Sequence, residues 1–84
     1  MPEPDFPMFI SGMGMQALMH LGELENPLTQ KKEKDIVQTK YIIDILGLLQ
    51  EKTKNNLSDQ EEKLLEGLLY DLRMKYVSAS KNNS

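Results

Sequence analysis

Sixteen consecutive residues, Phe6 to Leu21 (F-P-M-F-I-S-G-M-G-M-Q-A-L-M-H-L), contain no acid, lysine or arginine, and they precede two segments dense with charge. Four of the six methionines fall inside this run. A helix apolar all round has no face to give to water and is buried on every side. Two further helices of ordinary length have little surface with which to enclose it. The segment therefore predicts a partner, most simply a second copy of the chain.

Size sharpens that expectation. The 84 residues allow one domain, and a core this small is commonly reinforced by disulfides, a metal or assembly. Cysteine is absent, which removes disulfides, thiolate chemistry and cysteine–zinc sites together. A single histidine cannot close a metal site alone, and no cofactor is expected. Assembly remains: a homo-oligomer, a dimer first, with an unidentified protein partner as the other occupant. The net charge of -3 argues against nucleic acid and anionic membranes as partners. No window reaches the ~18 apolar residues of a membrane-spanning helix. Glu3 and Asp5, with no Lys or Arg beside them, have the wrong sign for a signal peptide. Cytoplasmic residence is the expectation.

The pattern along the chain is all-α. Residues 1–6, with Pro2 and Pro4, read as a flexible lead-in, and Pro7 suits a helix's first turn. A first helix is predicted over 7–22, stopped by Gly22. A connector with an Asn26-Pro27 turn signal follows. Asp35, with Gln38 three residues on, opens a second helix over 35–54. Its apolar residues Val37, Tyr41, Ile42, Ile45, Leu46, Leu48 and Leu49 are read as one broad stripe, ended where asparagine takes a left-handed turn at Asn55-Asn56. Ser58 and Glu61 form a capping box for a third helix over 59–77, with Leu64, Leu65, Leu68, Leu69, Leu72 and Tyr76 on one stripe. Residues 78–84 read as a frayed polar tail. Helices joined by so short a loop fold back as an antiparallel hairpin, with Lys52 and Lys54 facing Asp59, Glu61 and Glu62. The expected architecture is this hairpin plus a shorter apolar N-terminal helix, assembled as a helical-bundle oligomer.

Each long helix also carries apolar or minimal residues off its stripe: Ile36, Ile43 and Gly47 on the second, Gly67, Tyr70, Met74 and Val77 on the third. Tyr70, Met74 and Val77 have the i, i+4, i+7 spacing of a face that meets another helix. Scattered surface residues and docking of the first helix within the same chain are the competing readings. The apolar first helix favours contact between chains, through Phe9, Met13, Ala17, Leu21, Ile43, Gly47, Gly67, Tyr70, Met74 and Val77, with methionine suited to an irregular seam. The function expected is a non-enzymatic module that self-associates. Its alternative is a small-ligand-binding protein, using a Met-lined pocket between the first helix and the hairpin or a Lys/Arg anion patch.

Catalytic patterns fail on their mechanics. Gly12 to Ala17 formally matches G-x-G-x-x-A with Asp35 downstream, yet no strand precedes it and no βαβ unit can be drawn. His20 and Glu23 offer one ligand pair where bundle metal sites draw several from different helices. Ser11 has no base nearby in sequence, and nothing assembles a nucleophile, a base and an oxyanion site. Lys31, Lys32 and Lys34 share one end of the hairpin with Arg73, Lys75 and Lys81, but Glu33 and Asp35 dilute the cluster and the cations there complement a helix dipole.

Several short runs then look familiar together: Gln16-Ala17-Leu18 with Leu21-Gly22, Asn26-Pro27, Lys52-Thr53-Lys54 leading to Asn56-Leu57, Glu61-Glu62, and Leu64-Leu65 through Leu68-Leu69-Tyr70-Asp71-Leu72-Arg73-Met74. With them the chain resembles, over roughly residues 6–77, the bacterial family catalogued as domain of unknown function number 1844. Asn55 stands where members usually carry glycine, and asparagine tolerates the left-handed turn that glycine would make. The resemblance implies a small helical cytoplasmic protein and brings no activity or site residues.

Overall fold

The computed structural model of the protein describes residues 5–81. Among them lie α1 (Phe6–His20), α2 (Ile36–Lys52) and α3 (Asp59–Lys81), each packed on the other two. The fold is all-α. α2 and α3 run antiparallel, so that Gly47 lies by Arg73 and the Lys40–Tyr41 end of α2 lies by Tyr76.

Local chemistry sets the helix ends. Asp5 caps α1 by accepting from the Met8 N–H at 2.7 Å, with Phe6 and Pro7 as the first helical residues. Phe6, read from sequence as lead-in, is therefore helical and packs against the core; residues 1–4 of that lead-in lie outside the described residues. α1 closes at His20 with paired bonds, Gly22 N–H to the Met19 carbonyl and Glu23 N–H to the Leu18 carbonyl, both 3.0 Å. Gly22 takes φ +83°, which completes this Schellman motif. The His20 carbonyl accepts from the Asp35 N–H at 2.6 Å, while the Asp35 carboxylate accepts from the Gln38 N–H at 3.1 Å. The end of one helix is thus bonded to the cap of the next. Between them the connector closes on itself through the antiparallel bridges Leu21–Lys34 and Asn26–Lys31, with Asn26 Oδ1 accepting from the Leu28 N–H in the turn.

Thr53 ends α2 by donating its hydroxyl to the Leu49 carbonyl at 2.6 Å, and Asn55 takes φ 71°, the left-handed turn expected of it. The capping box at α3 is complete: Ser58 N–H to Glu61 Oε1 at 2.9 Å, Glu61 N–H to Ser58 Oγ at 3.2 Å. Ser58→Ala should cost about 1 kcal/mol, read as a lower urea midpoint at unchanged slope. The cross-hairpin pairing expected of Lys52 and Lys54 does not form. Among the described residues the ion pairs are Lys40–Asp44 and Lys75–Asp71, both one turn apart on a single helix, and Glu61 is spent on the cap.

α3 continues to Lys81, four residues beyond the expected end at Val77. Ala79 packs against the core, and its carbonyl accepts from Lys34 Nζ at 3.0 Å. Tertiary contact holds helical a segment whose composition alone reads as frayed.

The core joins Ile10, Ala17 and Leu21 with Ile42, Ile43 and Leu46 and with Leu65, Leu69 and Leu72. Gly14 faces Leu68 so closely that a Cβ there would stand 2.7 Å from Leu68 Cδ1; the missing side chain is what lets α1 lie against α3. Thr39 is fully buried and satisfied by donating to the Asp35 carbonyl at 2.9 Å. The first helix therefore docks within its own chain, as a wall of the core.

Candidate interaction surface

Docking of α1 changes which faces are free. The single broad stripe read on α2 splits in two. Thr39, Ile42, Ile43 and Leu46 point inward and are buried, while Val37, Tyr41 and Leu48 stay exposed, Val37 by 78%. At about 100° per residue the two sets stand roughly half a turn apart. With α1 present, α2 is covered from two directions, and the buried arc centres on Ile42, Ile43 and Leu46, leaving Tyr41 outside it. Leu64 likewise lies at the edge of α3's buried arc and is partly exposed.

Of the contact residues expected from sequence, Ala17, Leu21 and Ile43 are corrected. They are buried in the chain's own core because α1 packs in cis, and they present no surface to a partner. Met13 is half-buried against that core. Gly47 is covered by Arg73, whose guanidinium nitrogen would stand 3.2 Å from an added Cβ. Phe9, Gly67, Tyr70, Met74 and Val77 are exposed. The requirement that α1 be enclosed on every side also fails within one protomer. Met8, Phe9 and Met15 are each more than half exposed, Met15 by 61%.

Each described helix thus has exposed apolar residues on its back, opposite the buried face: Met8 and Met15 on α1, with Phe9 on the flank, Val37, Tyr41 and Leu48 on α2, Tyr70, Met74 and Val77 on α3. The α3 back lines an open groove of about 720 Å³ together with Gln50, Glu66, Arg73 and Lys81. Arg73 makes no ion pair among the described residues. A shallower groove of about 290 Å³ lies over Val37, Tyr41 and Tyr76, edged by the Lys40–Asp44 pair. The Asp44 hydrogen bond and charge raise the Lys40 pKa above its usual value.

Among the described residues no three His, Asp or Glu side chains gather as metal ligands, and no helix is long and apolar enough to cross a membrane. Gly12 and Gly14 sit mid-helix in α1, with their backbone in a helical ladder instead of a phosphate-binding loop. The basic end is partly consumed, Lys34 by the Ala79 carbonyl and Lys75 by Asp71.

The sequence profile of a family described as "Domain of unknown function (DUF1844)" matches residues 3–78 of the chain. The chain belongs to that family. The match spans the described helices almost entirely, so the backs of α1, α2 and α3 all lie within the DUF1844 domain. No curated protein and no solved structure matches the chain. The α2 back is the feature sequence reasoning misses. Its signal is present, since Val37, Tyr41 and Leu48 keep i, i+4, i+11 register, but a stripe spread over half a helix reads as one face until a third helix divides it.

Proposed function

We propose that this DUF1844 chain is a non-enzymatic interaction module that self-associates through the apolar backs of its helices. One observation carries the reading: a second apolar stripe lies opposite the core on α1, α2 and α3 alike. Isolated exposed apolar residues are ordinary on a monomer, but apolar residues that repeat at helical spacing along one side of a helix are the pattern of a face that meets another helix. Methionine, with a flexible and polarisable side chain, fits an uneven seam.

Sedimentation equilibrium tests this. The parent chain should exceed its 9.6 kDa monomer mass at about 100 μM. Met15→Glu and Met74→Glu each place a charge on one back, and at least one should shift the mass toward monomer. A parent that stays monomeric across that range removes the reading.

A second reading is binding of a small amphipathic anion in the α3 groove, where Arg73 and Lys81 stand beside Tyr70, Met74 and Val77. It replaces the Met-lined pocket expected between α1 and the hairpin, a space now filled by Ile10, Ala17, Leu65 and Leu69. Native mass spectrometry of freshly purified protein should then show a retained adduct that Arg73→Ala loses. Clean masses, with no thermal shift from long-chain carboxylates, count against it.

A further inference from the structure

We infer that α1 is the self-pairing seam: two copies of the chain cross back to back at Gly12, about a two-fold axis. This rests on the self-association reading and names its contact.

The glycines supply the first argument. Gly14 makes room for Leu68, Gly22 has the positive φ of a helix stop, and Gly47 lies under Arg73. Gly12 has no such reason. It sits mid-helix, and a Cβ built there meets nothing within 4 Å. Glycine in a helix interior is costly compared with alanine, and nothing within the protomer uses the space it leaves. A second backbone lying across α1 at this point would use it. Met8 and Met15 stand one turn to either side, at i-4 and i+3, as walls for the crossing helix.

Charge supplies the second. In a two-fold contact each patch faces its own copy, so a charge lying on the axis meets its like. The α2 back interleaves Lys40 and Asp44 with its apolar residues, and the α3 back is edged by Glu66, Arg73 and Lys81. The exposed α1 residues Met8, Phe9, Ser11, Gly12, Met15 and Gln16 hold no ionisable group. Around Gly12 this back can face itself without repulsion, and Asp5, the exposed cap two turns before Gly12, lies away from the axis. Gly67, the other glycine with open space beside it, lies on α3 among those charges and is disfavoured at an axis. α1, with 15 residues, is about 22 Å long, so a seam made by α1 alone belongs with weak, transient interfaces. Exchange is then fast, and dilution dissociates the pair.

Gly12→Ala separates the seam from ordinary helix stability, because the two effects have opposite signs. The dilute monomer should melt at a higher temperature, since alanine is the better helix former. The dimer should dissociate about tenfold more readily, since an added methyl overfills a close crossing. Gly12→Cys, in a chain with no other cysteine, should form an oxidised dimer, because a residue on the axis meets its own copy within disulfide reach. Met74→Cys on α3 should not. Suppose the parent associates, but Gly12→Ala leaves the constant unchanged and Gly12→Cys does not cross-link. The α1 seam is then wrong while self-association stands. A parent that is monomeric throughout removes both. A monomer that instead pellets with phosphatidylcholine vesicles through α1 assigns this face to lipid and overturns the seam.

Discussion

Ile10→Ala is expected to remove about 3 kcal/mol from the whole molecule, whereas Met8→Ala on the same helix should change stability by less than about 0.5 kcal/mol. Ile10 is completely buried and sits in one cluster with α2 and α3 residues. Deleting three of its carbons leaves a cavity shared by the described helices, and a close-packed interior does not readily collapse into it. Domains of this size have roughly 5–10 kcal/mol in hand, so the loss is a large fraction of the total. Urea unfolding at concentrations where the chain is monomeric should show one transition, displaced as a unit and with unchanged slope. An early, separate loss of α1 helicity, with the α2–α3 midpoint unmoved, would show instead that α1 is an appendage. The contrast with Met8, 58% exposed, separates burial from propensity, since alanine is at least as good a helix former as either residue and propensity alone would stabilise both variants.

Gly22→Val should cost about 2 kcal/mol or more, and the reason is conformation and not space. The nearest atoms to a Cβ at Gly22 are 3.8 Å away, an ordinary contact. Its φ of +83° is the obstacle, and a β-branched side chain suffers most there. The residue cannot rotate away cheaply. Its N–H and that of Glu23 hold the last α1 carbonyls, and the His20 carbonyl beside them accepts from the cap of α2. Gly22→Asn, which tolerates this backbone better, should recover much of the loss. Thermal melts of the valine, alanine and asparagine variants give the test. Equal, small effects for all three would mean that the motif contributes little.

How much of this was legible in the sequence depends on whether a feature is local. Ser58 with Glu61, Gly22 as a stop, Asn26-Pro27 and the left-handed Asn55 each rest on a few neighbouring residues, and each is where the sequence puts it. The antiparallel hairpin follows from a loop too short for any other path. What escaped was set by α1. Periodicity reports that a residue is on an apolar arc, but not which neighbour covers that arc. Ile43 was therefore placed outside and Tyr41 inside, and the structure reverses them. The extra turn to Lys81 is held by Lys34, which bonds the Ala79 carbonyl from 45 positions before Ala79 and which no window across the tail contains. At the candidate surface, Tyr70, Met74 and Val77 were found by spacing alone. Gly12 entered the sequence reading through the failed G-x-G-x-x-A match, and its place on the surface appears when the other glycines have been accounted for one by one.

The seat of α1 against α3 also fixes an order of events during synthesis. Gly14 meets Leu68, and more than fifty residues separate them. At about 5–20 residues per second, the methionine-rich helix is synthesised several seconds before the α3 residues that complete the core around Ile10 and Ala17. For that interval both of its greasy sides are bare, and a helix so short is barely formed alone. The nascent chain is at its stickiest before α3 is made, so a ribosome-associated chaperone would be met first by the segment around Phe9 to Ala17.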